Sequence, residues 1–415
     1  MLRAMTGRSP TSAFRMMRRV DEFFGPTVCL ALRAARAAMR RVRGPGKRAP
    51  APVAKILVIK FWGMGSIVLA TPTLRALKGA YPGAQITFLT FEQNERLCRS
   101  VPSIDRVHSY RAASLSDFLL SFATLVRFLR AERFDVVIDL EFFANFTAII
   151  TALSGAPITV GYDGWKSWRR PFYTNPFAFN HKHITEVFLK AAQTLGAEVL
   201  GTELDVPIVS DSLRAARLSQ VLRDRGIAPT DRLICININA SPLEYKRRWP
   251  LGSYKVLIER LLANFDAFRL VLIGSGDDVA YVEGLLRSLG AHPRLVNLCG
   301  LIEVDQLALF LRRVRLFIGN DSGPLHLAVA MGTPTVSFFG PETPALYGPR
   351  GENHTVLYKN IPCSPCLDVY NSKENSACRN NLCMQAIDVE EAWAAVCQRL
   401  AESPPRAALQ AVGAP

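Results

Sequence analysis

No strand-like run in this sequence leads into G-x-G-x-x-G, the spacing that cradles a dinucleotide pyrophosphate, and this argues against a nicotinamide-dependent dehydrogenase. No short internal repeat is visible. The N-terminal arm, residues 1–52, holds no uncharged stretch longer than the ten residues Phe23–Leu32. Gly25-Pro26 interrupts that stretch, leaving it too short and too broken to cross a bilayer. Its apolar part starts late and no small-residue cleavage site follows cleanly, so it makes a poor secretory signal. Beyond the arm there is no comparable basic run, which removes the main footprint of a nucleic-acid partner. Charged residues at 20% against hydrophobic ones at 49% exclude a disordered chain.

What is present is enough for two domains. At 415 residues each can bury its own core. The formal charge of +15 is unevenly spread: residues 1–50 carry eleven arginines and Lys47 against Asp21 and Glu22, a net +10. Arginine there is interleaved with Phe14, Met16, Met17, Phe23, Phe24, Leu30 and Leu32 before the linker-like GPGKRAPAP. Basic and apolar residues mixed at helical spacing suit an anionic membrane surface. A disordered extension, or a misassigned start codon, is the competing reading.

From Lys55 the pattern alternates between buried-strand runs and helical spacing. KILVIK (Lys55–Lys60) reads as a strand, FWGMGS as a ligand loop and Ile67–Lys78 as a helix, which Pro72 either kinks or restarts with Thr71 as cap. A strand at Gln85–Thr90, a helix over Leu115–Glu132 and a strand at Phe134–Leu140 follow. Asp139 and Glu141 end that last strand, where a carboxylate is placed either for chemistry or for capping and ion pairing. Residues 161–183 are rich in aromatic, basic and turn-forming residues, with Pro176, His181 and His183 at the end. They read as a long functional loop or as a plain surface connection.

A helix over Glu186–Leu195 precedes the inter-domain crossing, and the expected domains are 53–215 and 216–402, with a tail at 403–415. The second series opens with LICINI at Leu233, whose loop carries Lys246, Arg247 and Arg248. Clustered cations after a strand suit phosphate oxygens. The helix Leu251–Asn264, the strand Phe268–Ile273 and the turn GSGDD come next. Asp277 or Asp278 either holds a ribose hydroxyl or caps the helix that follows. Two such series imply an α/β protein of two Rossmann-like domains facing a central cleft.

Leu316–Pro341 reads as strand, turn, helix, strand. Pro324 suits a first helical turn, Asp321 and Ser322 supply capping oxygens, and Gly323 admits a ligand to the backbone. His326 falls one turn inside. The same residues also make a helix cap with no ligand. Placement at the C-terminal end of a buried strand favours the anion site.

Four of the nine cysteines, Cys363, Cys366, Cys378 and Cys383, fall in the spacing C-x2-C-x11-C-x4-C. That is compatible with a tetrahedral structural metal but is not a tight ribbon, and reduced thiols packing a loop are the alternative. The other five are scattered in apolar segments, as free thiols in a reducing cytoplasm would be.

FIGNDSGPLHLAVAMGTPTVSFFGP resembles the signature of the bacterial lipopolysaccharide heptosyltransferases, the ADP-heptose-using glycosyltransferase family 9. The resemblance runs through VIKFWGMGSIVLATPTLRALK, the acidic segment at Asp139, the KRRWP loop and CSPC…CRNNLCMQAIDVEE, roughly Lys55 to Leu400. It implies a GT-B fold and an inverting, metal-independent transfer from an ADP-sugar to a lipopolysaccharide-core or other lipid-linked saccharide. It further implies a monomer in the cytoplasm, peripheral at the inner face of the inner membrane, with no cofactor. Asp321, Ser322, Gly323 and His326 would contact the donor diphosphate and sugar, Lys246 or Arg247 would neutralise phosphate, and the loop at Gly63–Ser66 would close over the donor.

The family's first loop usually carries Gly-Asp, the Asp being the general base. Here the pair is Gly65-Ser66, and an unaided serine is no base at neutral pH. Glu141, then Asp139, are the replacement candidates. The alternative is a catalytically degenerate sugar-nucleotide-binding or scaffold protein of the same fold.

Overall fold

The computed structural model describes residues 10–402 apart from 44–51, 112–113, 143, 165, 167, 181, 206–211, 241–243 and 368–377. His181 and the interior of the cysteine-rich loop therefore lie outside the described residues. The chain packs as two units: Met1–Gly63 with Ala70–Glu203, and Met64–Leu69 with Leu204–Pro415.

In chain order the first part runs α1 (Pro10–Arg43), β1 (Lys55–Ile59), α2 (Met64–Leu69), α3 (Thr71–Ala80), β2 (Gln85–Phe91), α4 (Glu95–Cys98), β3 (Arg106–Tyr110), α5 (Leu115–Glu132), β4 (Val136–Asp139), α6 (Asn145–Ser154), β5 (Ile158–Asp163), β6 (Asn175–Ala178) and α7 (Ile184–Gln193). The six strands form one parallel sheet in the order β3-β2-β1-β4-β5-β6. β1 and β4, in the centre, are buried almost throughout, as apolar strands covered by helices on both faces must be. The chain reverses its direction of travel between β1 and β4, the point where open sheets of this kind leave a crevice.

The helix after β1 is broken in two. α3 restarts at Thr71 with Pro72 in its first turn, and its N-cap is Ala70, not Thr71, with no side-chain cap bond. Residues 161–183 are not one loop either. Asn175–Ala178 pairs with β5 as the edge strand, with Pro176 opposite Gly161. An edge tolerates a proline because one side of the strand has no ladder to donate to.

The N-terminal arm forms a single helix over Pro10–Arg43 that runs through Pro26. It is fastened to α6. The first N–H groups of α6 have no cap of their own, because Ala144 precedes them. Asp21 supplies one from a distance: its carboxylate accepts the N–H of Asn145 (2.8 Å) and of Phe146 (2.6 Å). Gly25 makes the close approach, since a Cβ there would lie 2.5 Å from that of Asn145. Cys29 is fully buried against Ala148, Ile149, Phe172 and Tyr173.

The second unit runs α8 (Ser212–Asp224), β7 (Arg232–Asn237), α9 (Leu251–Asn264), β8 (Phe268–Leu272), α10 (Val279–Leu289), β9 (Leu295–Asn297), α11 (Val304–Arg313), β10 (Val314–Asn320), α12 (Gly323–Ala330), β11 (Thr335–Phe339), α13 (Pro344–Tyr347), β12 (His354–Tyr358), α14 (Leu382–Gln385) and α15 (Val389–Glu402). Its parallel sheet, β12-β11-β10-β7-β8-β9, has the same winding as the first, with the reversal between β7 and β10. α8 belongs here by its packing and pairs Arg214 with Asp305 of α11 at 3.3 Å. Its core joins Ile234, Ile236, Trp249, Tyr254, Leu257, Leu316 and Phe338.

Candidate functional site

At the reversal point of the first sheet, Lys60, Phe61 and Trp62 leave β1 beside Glu141, which leaves β4. Glu141 Oε1 accepts the N–H groups of Phe61 and Trp62, each at 2.8 Å, and Oε2 lies 2.9 Å from Lys60 Nζ. Glu141 and Lys60 are both buried. The acid thus fixes the start of the glycine loop through its backbone.

Asp139 is more enclosed. Its Oδ2 accepts the hydroxyls of Tyr173 (2.7 Å) and Thr147 (2.9 Å) and pairs with Arg169 Nη2 at 3.1 Å, while Oδ1 accepts the N–H of Glu141 at 3.0 Å. Arg169 also donates to the carbonyls of Phe142 (2.5 Å) and Glu141 (2.7 Å). Burial works against the Arg169 charge, but Tyr173 and Asp139 hold its pKa above the usual value. Both sequence-predicted acids are therefore at the strand mouth, with each carboxylate oxygen engaged inside the protein. Arg169 and Tyr173, read from sequence only as part of a loop, are what engage Asp139.

The second unit's reversal point collects the donor-site candidates. Arg247 Nη1 lies 3.0 Å from Asp321 Oδ2, and its Nη2 lies 3.4 Å from Glu342 Oε2. Against burial, Asp321 and Glu342 raise the pKa of this guanidinium, whose side chain is 12% exposed. Ser322 takes the N-cap position of α12 but makes no side-chain capping bond there. Its hydroxyl accepts instead from Asn237 Nδ2 at 3.0 Å. Ser322 thus bonds an asparagine in place of the expected cap, and Asp321 pairs with an arginine of the loop after β7. With the Ser322 hydroxyl engaged elsewhere, the N–H end of α12 is of the kind that receives an anion.

Glycine allows α2 and α12 to meet. A Cβ on Gly65 would come within 2.4 Å of His326 Cδ2, and one on Gly323 within 2.4 Å of Met64 Cε. Ser66 follows in the same turn of α2. His326 is buried, its Nε2 3.8 Å from Asp321 Oδ1.

Three asparagines that the sequence reading passed over hold the cationic loop. Asn320 Oδ1 accepts the Trp249 N–H (2.9 Å) and the Tyr254 hydroxyl (3.0 Å), and Nδ2 donates to the carbonyls of Ile238 and Asn239, each at 3.1 Å. Asn239 Nδ2 donates to Asn237 Oδ1 at 3.2 Å and to the Ile273 carbonyl at 2.9 Å. Trp249 stacks on Phe338 with ring centroids 4.3 Å apart. The signal was an asparagine at the end of each of two apolar strands, ININA and IGND, where a buried amide must bond its neighbours.

The remaining candidates separate. Lys246 is half-buried. Arg248 lies over the rings of Tyr245 (4.3 Å) and Tyr281 (3.9 Å) and 3.3 Å from Asp278. Asp278 is the capping acid of its turn, accepting from Ser275 N (3.0 Å) and Oγ (2.6 Å), whereas Asp277 is exposed. Among the four late cysteines, Cys363 is exposed and Cys383 buried. Burial first, and Cys366 second, push the Cys383 thiol up to about 11. Cys378 Sγ accepts the Asn381 N–H at 3.2 Å. Among the described residues no group of three or more His, Cys, Asp or Glu is placed to hold a metal ion. Asn381 instead donates to the carbonyls of Lys246 (3.1 Å) and Arg248 (2.9 Å), bracing the cationic loop.

Residues 122–377 match the family model described as glycosyltransferase family 9 (heptosyltransferase). Lipopolysaccharide heptosyltransferase 3 of Escherichia coli K12 is 26% identical over 352 residues, 83% of this chain and 97% of that protein. Two solved structures share the fold. The Escherichia coli ADP-heptose LPS heptosyltransferase II superposes with a TM-score of 0.66 at 19% identity, covering 84% of this chain and 99% of its own. The family 9 glycosyltransferase of Veillonella parvula does so at 0.69 and 23%, covering 85% and 99%.

Proposed function

Because the chain belongs to glycosyltransferase family 9, the heptosyltransferase family, and has its GT-B fold, we propose that it moves heptose or a related sugar from an ADP-sugar to a lipopolysaccharide-core or other lipid-linked saccharide. The names of the relatives support the donor and the acceptor. The observation that carries the donor half is the start of α12: its N-cap Ser322 makes no capping bond, Arg247 of the cationic loop pairs with Asp321 there, and Gly65 closes it on one side.

In this reading the diphosphate sits on the helix start with Lys246 as its cation. Arg247 is already shared by two carboxylates, so its task is to hold Asp321 in place. The acceptor oxygen attacks the anomeric carbon as the bond to the diphosphate breaks. ADP leaves with the electron pair, the configuration inverts, and the acceptor's proton passes to a base. Cation and helix-start N–H groups meet the charge that develops on the leaving group, with no metal required by the scheme.

Glu141 is the first-ranked base from sequence. Its engagement with Phe61, Trp62 and Lys60 supports a positioning role instead. Glu141→Gln separates the two: loss of the base lowers kcat about a thousandfold or more with donor affinity intact, whereas loss of positioning weakens donor affinity as well. Ser66 and the two engaged acids favour a second reading, a protein that holds a sugar nucleotide without turning it over. Incubation with ADP-heptose and a heptose-deficient lipopolysaccharide core, read by mass spectrometry, tests the first. A product heavier by one heptose is expected, and an unchanged acceptor alongside measurable ADP-heptose binding would move the conclusion to the second.

A further inference from the structure

Helix α1 presents two faces with different properties. Asp21, Gly25, Cys29, Leu32 and Arg36 recur every three or four residues and form the face turned to the first unit. Gly25 and Cys29 are buried, Arg36 lies 5.9 Å from the Phe172 ring, and Asp21 caps α6. A helix turns about 100° per residue. Val20, Phe23, Leu30 and Ala34 therefore fall on the side opposite this stripe, with Phe24 and Val28 along one border. These are exposed: Phe23 at 76%, Phe24 at 57%, Leu30 at 53%, Val20 and Val28 at 41%. The two phenylalanine rings touch only edge to face, with centroids 4.9 Å apart. Arg19 and Arg33 are exposed along the other border, and the helix continues through Arg40, Arg41 and Arg43.

A solvent-facing row of large apolar side chains is costly unless something covers it. Among the described residues no helix is long and apolar enough to cross a membrane, so α1 is not a span. We propose that the outer face of α1 lies in the surface of an anionic lipid bilayer, with Val20, Phe23, Phe24 and Leu30 entering the acyl boundary and Arg19 and Arg33 meeting lipid phosphates. The choice of lipid over protein rests on charge. The arm's net +10 complements an anionic surface and would repel a second copy of itself. The apolar width of one helix face matches interfacial insertion. The Asp21 cap and the Gly25 contact make the attachment rigid, so a bilayer gripping α1 would hold the whole first unit rather than a loose tether. The lipid-linked acceptor of the reading above is a further reason for a membrane, and the lipid contact is testable without any sugar transfer.

The test is flotation of the full chain with vesicles rich in phosphatidylglycerol and with phosphatidylcholine vesicles alone. Binding to the anionic vesicles is expected, weakened by high salt, and reduced about tenfold or more by Phe23→Ser with Phe24→Ser. Both side chains are more than half exposed, so the double variant should keep its melting temperature and its ADP-heptose affinity. Equal flotation of variant and wild type, or equal binding to neutral and anionic vesicles, would overturn the proposal. So would a dimer in light scattering that the double variant dissociates while neither protein floats. Loss of flotation with ADP-heptose binding intact separates this outcome from failure of the donor site.

Discussion

Arg247 Nη1 lies 3.0 Å from Asp321 Oδ2 at the mouth of the second sheet, and the same guanidinium reaches Glu342. That arginine is thus already shared between two carboxylates, which is why the proposed phosphate role falls to the neighbouring Lys246.

The two cations should fail differently. Arg247→Ala strands two buried carboxylates and should cost about 3 kcal/mol of stability in the second unit, visible as a lower urea midpoint. Lys246→Ala should weaken ADP-heptose binding about tenfold or more, since a charge-assisted bond to phosphate contributes about 1.5–3 kcal/mol.

Asn320 makes four bonds from a fully buried amide. Asn320→Asp keeps the shape and the two acceptor roles but cannot donate to the Ile238 and Asn239 carbonyls. A loss of about 2–4 kcal/mol is expected from the orphaned groups, with donor affinity falling in parallel because the loop bearing Lys246 is released. Thermal melts beside calorimetry check both.

Docking of α1 can be read chemically. Burial raises the Cys29 thiol to about 11, so it should resist alkylation near neutral pH. Asp21→Ala removes the cap on α6 at a cost of about 1–2 kcal/mol. Peptide mapping should then find Cys29 alkylated several-fold faster, with Cys363, already exposed in the other unit, unchanged.

His354 makes the second unit sensitive to acid. Burial, and then Arg399, lower its pKa from 6.5 to about 4, while its Nδ1 lies 3.1 Å from the Thr335 hydroxyl. The unfolded chain takes up the proton first, so this contribution is fully present above pH 6.5 and is lost progressively as the pH falls toward 4. Partial solvent access holds its size to about 2 kcal/mol. His354→Gln should flatten this part of the stability curve in urea titrations at successive pH values.

Much of the alternating framework was legible because buried parallel strands are nearly continuous apolar runs. KILVIK and TVSFF could scarcely be anything else, and α5 and α11 carry helical spacing from end to end. β3 was missed because RVHSY is an edge strand with one buried residue, and so has no apolar run. The arm's attachment was hidden for a different reason. Its docking stripe mixes an acid, a glycine, a cysteine, a leucine and an arginine, so no hydrophobicity pattern marks it; only the spacing does. At the site, the residue types were visible but their pairings were not. Asp321 was read as a cap and also pairs with Arg247, and Glu141 was read as a base and also holds a loop, and both pairings depend on residues 70 or more positions away.

The most direct test of the account is a calorimetric titration of the full chain with ADP-heptose, a UDP-sugar and a GDP-sugar, repeated with Lys246→Ala. One site that prefers ADP-heptose and is weakened about tenfold or more in the variant is expected. Tighter binding of a UDP-sugar, or ADP-heptose binding indifferent to Lys246, would contradict it.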